Sequence, residues 1–600
     1  MPIKPLPIIH GYDKQRFSQF SPADIANWWI AQAPTGKQQQ ALYPAMGRAH
    51  ININGINQLI FSAQPRKIFK SIDFAYVIVS NEVFQINNQF SVKEITIPEF
   101  GQQTGDLNFA YLPVIQIPVS GTTTQHVFCM LCDGKNIFVI DEQNQSTPMT
   151  IITDANRPIN PLIPFAFGNR FAVASRDSTQ FQLAQINMGK SPFDPSKLFT
   201  IPGDQPVLFA QESGIIRAAT VLQNQLYLFC DFSTGIWSNN PSVFSSGTTT
   251  TTFPWRKNTS FQFNYGIADP DSLDVDFGMM VWLARNRNGL VTFMMSSGQN
   301  PESISSKAIN TKLQQIVNNT ANTSLLVSNA QGFLYQYEDE IFYRCSIGDY
   351  VDYPTLDNES NAVSFEYSFS SKTWQRCIEI NGQRNRIVEH EYFSNRHLVT
   401  VQGESTVYEM SGGIYFNELR NPNQPNPQSN TAYLAYPMRY ENITPIISED
   451  DYSEFITDWV QIDFVFGQNT YIPWDNGYPN AVFIIGEVAD VNGQPVYIIS
   501  EDGNFFLIKE GTSYPVLDDS IYSDLFKPHI EWYVSDDGGI SFYSADNLEF
   551  SPLGKYEWRM RWYQNGPSRN RVYKLICVSP APIVVLGGIQ NVRRVSGGAY

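Results

Sequence analysis

Hydrophobic and polar residues alternate along most of this chain with the two-residue period that is typical of β-strands. Pairs of such runs flank short polar turns, as in Tyr76–Val79 and Val83–Ile86, or in Val127–Cys132 and Ile137–Ile140. The same pattern predicts further hairpins within residues 165–174, 218–230, 279–293, 325–343 and 397–410. We therefore expect an almost entirely β fold.

Two segments have the pattern of helices, from Ser21 to about Gln32 and from Ser305 to about Val317. The first begins with residues that favour a helix N-terminus, namely Ser21, Pro22 and Asp24. The second places three apolar side chains on one helix face, namely Ile309, Leu313 and Ile316.

The hairpins recur roughly every 40–60 residues, which is the spacing of four-stranded propeller blades. This spacing predicts a β-propeller of about six blades over residues 50–419, preceded by an N-terminal segment, 1–49, that contains the first helix. Two or three consecutive β-sandwiches are the alternative. Residues 420–430 are rich in Pro and Asn and predict a linker. Residues 431–600 predict a C-terminal β-sandwich-like domain with an insertion at 466–527.

The amino-acid composition and net charge limit the classes of function that this chain can have. Aromatic residues make up 14% of the chain and charged residues only 16%, against about 25% in an average soluble domain. The net charge of −17 argues against a protein that grips nucleic acid, because such binding depends on Lys and Arg neutralising phosphates. It permits an acidic channel through which DNA slides without adhering.

Six cysteines in 600 residues do not form a disulfide framework. Cys129 and Cys132 are the only close pair, and without further ligands nearby we expect two buried thiols rather than a zinc site. Assembly in a reducing cytoplasm is therefore expected. The N-terminus lacks a signal-peptide pattern, and no run reaches the roughly 18–20 apolar residues of a membrane span.

The C-terminal 46 residues are basic, although the whole chain is acidic. They contain one acidic residue, Glu557, and eight basic residues: Lys555, Arg559, Arg561, Arg569, Arg571, Lys574, Arg593 and Arg594. These residues predict either a solvated face beside the acidic majority of the chain or a surface that contacts an acidic partner ring or DNA.

No catalytic, cofactor or metal constellation emerges from the residues. None of the six histidines has a metal-binding motif, and structural roles are expected for His390 and His397. The segment around Ser535, Asp537 and Gly539 resembles the Asp box of sialidases, with Ser541 and Phe542 in place of its Thr and Trp. Because Asp537 can accept hydrogen bonds from turn amides, we expect a structural hairpin turn there.

Several ordered segments resemble one viral family. The run Met1–Gly11 resembles the opening of the packaged-DNA stabilisation, or tail hub, proteins of short-tailed bacteriophages, and Phe165–Phe181 and Ser303–Ile309 resemble interior parts of them. The C-terminal resemblance is strongest and follows the family's order through Val534–Phe542, Arg559–Trp562, Gly566, Arg569–Val572, Lys574–Leu575 and Ser579–Gly587. Residues 466–527 depart from it.

The resemblance implies a non-enzymatic structural subunit of the virion tail, assembled in the host cytoplasm. It implies a homo-hexameric ring below the portal and its adaptor ring, which closes the DNA exit channel and retains packaged DNA. Further implied partners are a tail needle or plug, spikes or fibres, and genomic double-stranded DNA that passes without sequence-specific binding. The alternatives are a sialidase-like propeller glycosidase, which the Asp box suggests, and a receptor-binding spike of the virion.

Overall fold

The structure is a computed structural model of the chain. It describes residues 3–17, 20–32, 39–53, 56–57, 59–101, 107–116, 124–144, 146–185, 194–201, 205–206, 209–240, 242–246, 249–298, 300–319, 329–350, 362–420, 433–451, 453–466, 498–499, 506–507, 529–548, 557–563, 565–579 and 581–594.

Seven four-stranded antiparallel units, here called blades 1 to 7, follow one another along the described part of the chain. Blade 1 consists of Pro65–Lys70, Ala75–Val79, Glu82–Ile86 and Val92–Glu94; blade 2 of Asn108–Gln116, Thr124–Cys132, Ile137–Asp141 and Met149–Ile151; blade 3 of Pro161–Phe167, Arg170–Ser175, Gln180–Leu183 and Phe209–Gln211; blade 4 of Ile216–Leu222, Gln225–Cys230, Thr234–Ser238 and Arg256–Phe263. Blade 5 consists of Asp274–Asp276, Met279–Arg285, Val291–Ser296 and Glu302–Ser303, with Gly266–Ile267 paired beside its second strand; blade 6 of Gln331–Tyr337, Glu340–Ile347, Val363–Ser368 and Thr373–Arg376; blade 7 of Ile387–Phe393, Arg396–Val401, Val407–Ser411 and Gly47–His50.

Short two-stranded ribbons lie outside the blades, namely Asn52–Ile53 with Ile56–Asn57, Thr200–Ile201 with Gln205–Pro206, Ser242–Ser246 with Thr249–Phe253, and Ile498–Ile499 with Phe506–Leu507.

A separate hydrophobic core fills each of the seven gaps between neighbouring blades, including the gap between blade 7 and blade 1. The ring of blades is therefore closed, and the architecture is a seven-bladed β-propeller. The predicted hairpins are confirmed, and so is the fold class, with seven blades where about six were expected.

Blade 7 takes its fourth strand from the other end of the chain. Gly47–His50 pairs antiparallel with Val407–Ser411, which locks the first part of the propeller to the last. Position 47 needs glycine, because a Cβ there would lie 2.6 Å from the carbonyl oxygen of Ile414. Beside it, Arg48 is fully buried and forms an ion pair with Glu379 at 2.7 Å.

The two ends of the chain together form a β-sandwich. Its first sheet has the strand order Trp28–Gln32, Gln40–Pro44, Ile583–Arg594, Phe455–Phe466 and Glu557–Tyr563, with Ile3–Leu6 paired to Ile583–Arg594 and Pro567–Ser568 paired to Phe455–Phe466. The second contains Tyr433–Ile443, Val572–Ser579, His529–Ser535 and Tyr543–Leu548, and Phe416–Arg420 and Asp24–Ala26 join it to blades 7 and 6. Aromatic rings fill the space between the sheets, and the indoles of Trp532 and Trp562 stack with centroids 4.5 Å apart.

One α-helix, Lys307–Asn319, follows blade 5, and the prediction of this helix is confirmed. Ile309, Leu313 and Ile316 are buried in the core that blades 5 and 6 share with the sandwich. The hydroxyl of Ser306 accepts the amide hydrogen of Ile309, as an N-cap residue does. Within the described residues, no helix is both long and apolar enough to cross a membrane.

The helix predicted over Ser21–Gln32 is wrong. This segment contains two strands, Asp24–Ala26 and Trp28–Gln32, separated by Asn27 with a positive φ of 57°. The side-chain NH₂ of Asn27 donates to the carbonyls of Ile378 and Arg439, and its side-chain oxygen accepts from the amide of Ile378. These partners are 351 and 412 residues away in sequence. The tertiary hydrogen bonds therefore outweigh the local preference for a helix N-terminus.

Two predicted features cannot be placed. Of the predicted linker 420–430, only Arg420 belongs to the described residues, and Lys555 lies outside them. Of the insertion predicted at 466–527, the described residues are Phe466 and the short ribbon 498–499 with 506–507.

Replacing Arg48 with Met should lower the free energy of unfolding by about 3–5 kcal/mol, because Glu379 would be left buried and unpaired. Burial alone would raise the pKa of Glu379, but Arg48 holds it below its ordinary value. The native pair therefore stabilises the fold above the ordinary glutamate range and less as pH falls, so the difference between variant and wild type should shrink in acid. Urea unfolding of both proteins at several pH values measures this difference in the free energy of unfolding. Arg287→Met, on an exposed turn, is the control, and an equally large loss in that variant would contradict the assignment.

Candidate functional site

A cluster of charged side chains lies at the axis of the propeller. The ammonium of Lys67, on the first strand of blade 1, lies 2.7 Å from a carboxylate oxygen of Asp271 and 2.7 Å from one of Glu389. Asp271 lies in the 3₁₀ turn Pro270–Ser272 of blade 5, and Glu389 lies on the first strand of blade 7. Because blades 6 and 7 separate blade 5 from blade 1 around the ring, the contact between Lys67 and Asp271 crosses the axis.

Further charged groups surround this contact. Lys70 pairs with Glu391 at 3.3 Å, and Asp274 accepts the amide hydrogen of Leu334 at 2.7 Å. We call the eight residues that share this region the axial cluster: Lys67, Lys70, Asp269, Asp271, Asp274, Asp276, Glu389 and Glu391. Carboxylates outnumber ammonium groups six to two, so each lysine has more than one acidic neighbour.

Burial raises the pKa values of several carboxyl groups in the axial cluster. It raises the pKa of Glu389 to about 7 and that of Glu391 to about 7, against the partial opposing effect of the lysines. It likewise raises the pKa of Asp274 to about 6. Burial alone would lower the pKa of Lys67, but Asp271 and Glu389 raise it. At neutral pH the lysines are therefore charged, whereas part of the carboxyl population is protonated.

Two histidines, His390 and His397, lie on blade 7, on the face opposite to Glu389 and Glu391. His390, between Glu389 and Glu391 in sequence, stacks on the ring of Phe333 at 4.7 Å, and its Nε2 lies 3.0 Å from Nδ1 of His397. Burial lowers the pKa of His397 to about 4 and places that of His390 well below its ordinary value. Both imidazoles are thus neutral at physiological pH, with packing contacts to aromatic rings and to each other. Among the described residues, no group of three or more His, Cys, Asp or Glu side chains is arranged to hold a metal ion.

The basic residues predicted as one surface are divided among different environments. Arg559 is 74% exposed. Arg561, on the same strand as Arg559, lies over the ring of Trp459 at 4.4 Å. Arg593 pairs with Asp458 at 3.0 Å, and Arg594 pairs with acidic residues of the sandwich, at 3.3 Å from Glu449. Arg569 is exposed, and Lys574 is half-buried near the ring of Tyr533.

Arg571 has a different environment from the rest of that set. Its side chain is fully buried, and it donates to the carbonyls of Asn565 and Gly566 and lies 3.1 Å from Asp536. Its role is therefore to order the turn before its own strand, and it cannot form part of a surface.

The turn that resembles an Asp box closes on itself as its local chemistry predicts. The carboxylate of Asp537 accepts from the hydroxyls of Ser535 and Ser541 and from the amides of Ile540 and Ser541. Gly539 has a positive φ of 88°, and its amide donates to Ser535. The turn lies in the sandwich, at the end of the strand His529–Ser535. The donors described for the carboxylate of Asp537 all lie within the turn, and the backbone of Asp537 bridges to Asn570.

Cys129 and Cys132 are buried thiols in blade 2. Burial raises the pKa of both well above that of an ordinary thiol. The sulfur of Cys129 lies 3.5 Å from Glu142, which also accepts the hydroxyl of Tyr76 at 2.6 Å. Both thiols are therefore protonated and unreactive at neutral pH.

The axial cluster was missed in the sequence because its members are far apart along the chain. One signal was available: the first strands of blades 1 and 7 carry Lys67, Lys70, Glu389 and Glu391, and charges are unusual in strands that contact neighbours on both sides. Only closure of the ring brings these side chains together.

The architecture defines the class of protein as a seven-bladed β-propeller joined to a β-sandwich. No family model matches the chain, and no curated protein matches it. Solved structures similar to it include the Pan2 WD40 domain of Neurospora crassa, with 8% identity, 64% of this chain and 98% of that chain covered, and a TM-score of 0.33. BamB from Moraxella catarrhalis has 9% identity over 61% of this chain and 97% of its own, with a TM-score of 0.30. These scores carry no argument about function, and the propeller assignment rests on the sheet topology.

Replacing Lys67 with Met should lower the free energy of unfolding by about 3–5 kcal/mol at about pH 8, because Asp271 and Glu389 would face each other without their shared cation. A carboxyl group whose pKa is raised by folding stabilises the fold at low pH and loses that contribution as pH rises through its folded-state value, here about 7 for Glu389. The loss should therefore be smaller at about pH 5.5. Chemical denaturation measures both values. Lys372→Met, in an exposed turn, should change neither, and an equal loss at the two pH values would refute the role of Lys67.

Replacing Arg571 with Met should lower the free energy of unfolding by about 2–4 kcal/mol, because the carbonyls of Asn565 and Gly566 would lose their donor. Arg559→Met is the matched variant, and a change within about 0.5 kcal/mol is expected because that side chain is exposed. Equal effects of the two variants in thermal or urea unfolding would show that the structure separates these arginines wrongly.

Proposed function

We propose that this chain is a non-enzymatic structural subunit of the tail hub of a short-tailed bacteriophage. In this proposal six copies form a ring below the portal and its adaptor. The ring closes the DNA exit channel, retains the packaged DNA and anchors a needle or plug together with spikes or fibres. The proposed location is the virion tail, with assembly in the host cytoplasm.

One observation carries the proposal beyond the sequence resemblance. The resemblance is strongest at the C-terminus, and a further resembling segment lies at the other end of the chain, where Ile3–Leu6 pairs in register with Gly588–Asn591. Arg559–Trp562 lies in the same sheet, and Val534–Ser535 and Val572–Ser579 lie in the facing sheet. The resemblances at the two ends of the chain thus fall in one physical unit, whereas Phe165–Phe181 lies in blade 3 and Ser303–Ile309 joins blade 5 to the helix Lys307–Asn319. The meeting of the two terminal resemblances in one unit supports the proposal.

The axial cluster supports a channel between copies rather than within one copy. Lys67 spans the axis between blades 1 and 5 with two contacts of 2.7 Å, which leaves no open path there. A DNA duplex, whose major groove alone is about 12 Å wide, could not pass through the propeller without breaking these ion pairs. A DNA conduit built from this chain therefore requires several copies around a common axis.

The charge of the chain agrees with such a conduit. Each copy has a net charge of −17, and many of its basic side chains are engaged in ion pairs, as Arg593 and Arg594 are. Non-specific DNA affinity depends mainly on cations available to phosphates. A ring of such subunits would let DNA slide with little adhesion and without sequence-specific binding.

The test is the stoichiometry of the full chain with the portal and adaptor rings of its own virion, measured by mass photometry and negative-stain microscopy. Six copies of this chain recruited to the portal–adaptor complex, or six-membered rings of the chain alone, are the expected result. The portal ring without its adaptor is the matched control and should recruit none. A stable monomer that does not bind the adaptor-bearing complex would overturn the proposal.

A further inference from the structure

A positively charged cleft lies where three distant parts of the chain meet. Its walls come from the N-terminal segment at Tyr12–Arg16, the helix Lys307–Asn319, and the end of blade 6 with the turn that follows it. The cleft has a volume of about 410 Å³. It belongs neither to the axial cluster nor to the basic residues predicted from the C-terminal sequence.

Basic groups dominate the lining of this cleft although the chain as a whole is acidic. Its lining includes five basic residues, namely Lys14, Arg16, Lys312, Arg376 and Arg384, and one acidic residue, Asp24. Asp24 is already engaged, because its carboxylate lies 2.7 Å from Arg376. Lys14 and Arg16 are exposed at the rim, and within the described part of the chain neither forms an ion pair. Lys14 and Arg16 therefore bring uncompensated positive charge to the cleft.

The environment of the Arg384 side chain is the second observation that points to a ligand. Its side chain is only 6% exposed, yet the nearby carboxylates of Asp349 and Glu379 act on it from beyond ion-pair distance. Its Nη1 donates to the carbonyl of Asn385 and its Nη2 to the side chain of Gln402, whereas its buried Nε has no hydrogen-bond partner. Burial lowers the pKa of Arg384 to about 10. A buried guanidinium without a carboxylate is costly, and an anion bound in the cleft would offset that cost.

The remaining lining indicates which anion fits. Amide and hydroxyl side chains, such as Gln15, Gln383 and Thr311, supply hydrogen-bonding groups of the kind that pair with a peptide backbone. Single-stranded nucleic acid is usually held by stacking on exposed aromatic rings. Among the described residues of the lining, the one aromatic side chain is that of Tyr12, which is buried and packs edge-on against Phe365 at 5.2 Å, so it offers no stacking surface.

We propose that this cleft binds an acidic segment of a partner protein, with Arg384, Lys14 and Arg16 receiving its carboxylates. The amide and hydroxyl side chains of the walls bind the partner's backbone. This inference does not depend on the proposed ring, because it concerns a site that is complete within one copy.

The experiment uses the full chain and a fluorescein-labelled short peptide of alternating glutamate and aspartate, followed by fluorescence anisotropy at low ionic strength. The acidic peptide should bind, and a peptide of alternating glutamine and asparagine should not. Binding should weaken as salt is added, because exposed rim charges are screened. Replacing Lys14 and Arg16 together with Gln should weaken binding about tenfold, as expected for two exposed cations that each contribute modestly.

Two further variants separate binding from folding. Lys372→Gln removes an exposed charge outside the cleft and should leave the affinity unchanged. Arg384→Gln should reduce binding more than the rim variant does, with its melting temperature measured to establish that it folds. If it does not fold, the variant with both rim substitutions still decides the question, because its side chains are exposed.

Three outcomes would overturn the inference. One is equal affinity for the acidic and neutral peptides. Another is unchanged affinity when Lys14 and Arg16 are replaced. The last is tighter binding of labelled oligothymidylate than of the acidic peptide, which would assign the cleft to nucleic acid. None of them affects the stoichiometry by which the proposed ring is tested, so the two proposals can fail independently.

Discussion

The architecture depends on how the segment Asp24–Gln32 is held between the propeller and the sandwich. Arg376, at the end of blade 6, lies 2.7 Å from Asp24 and 3.1 Å from Glu441 of the sandwich. Burial alone would lower the pKa of Arg376, but these two carboxylates raise it, so the guanidinium stays charged. One cation therefore joins three parts of the chain. Breaking the contact with Arg376 would leave the buried carboxylate of Asp24 without its cation, so the relative position of the two domains is tightly specified.

Asn27 completes this junction through its backbone geometry. Its positive φ turns the chain between two strands that belong to different sheets, Asp24–Ala26 and Trp28–Gln32. The first strand extends the sheet that contains Tyr433–Ile443, and the second begins the other sheet of the sandwich. Asparagine tolerates this conformation better than most residues, and its side chain binds two backbone segments, at Ile378 and at Arg439.

Local patterns predicted the elements whose stability is local. The hairpins of blades 1 to 7 lie where alternation and turn residues place them, and the helix Lys307–Asn319 follows its apolar face. The segment 21–32 was misassigned because Ser21, Pro22 and Asp24 match the signals of a helix start, whereas Asn27 bonds to the backbone of Ile378 and Arg439, far along the chain. A hairpin of blade 7 was predicted at 397–410, but not its closing strand Gly47–His50, which lies more than 350 residues before its partner.

The candidate sites were less predictable than the fold because charge pairing is not local. Composition indicated a basic C-terminal region, but Arg571 lies in the interior, and Arg593 and Arg594 pair with acids more than 130 residues earlier in the chain. Lys67 and Glu389 are 322 residues apart, and Arg16 and Arg384 line one cleft from opposite parts of the sequence. Net charge and charge blocks describe the whole chain, whereas a site depends on which charges the fold leaves unpaired.

The order of synthesis has a consequence for a subunit with this topology. Ile583–Arg594 is an inner strand of a seven-stranded sheet and pairs with Phe455–Phe466 and Ile3–Leu6. That sheet cannot form until residues 583–594 have been made, whereas the propeller can close once Val407–Ser411 is available to Gly47–His50. Contacts between such distant residues form slowly because their loops are long. A chain without residues 583–594 would thus lack the finished sandwich, so any surface that needs the sandwich requires that strand.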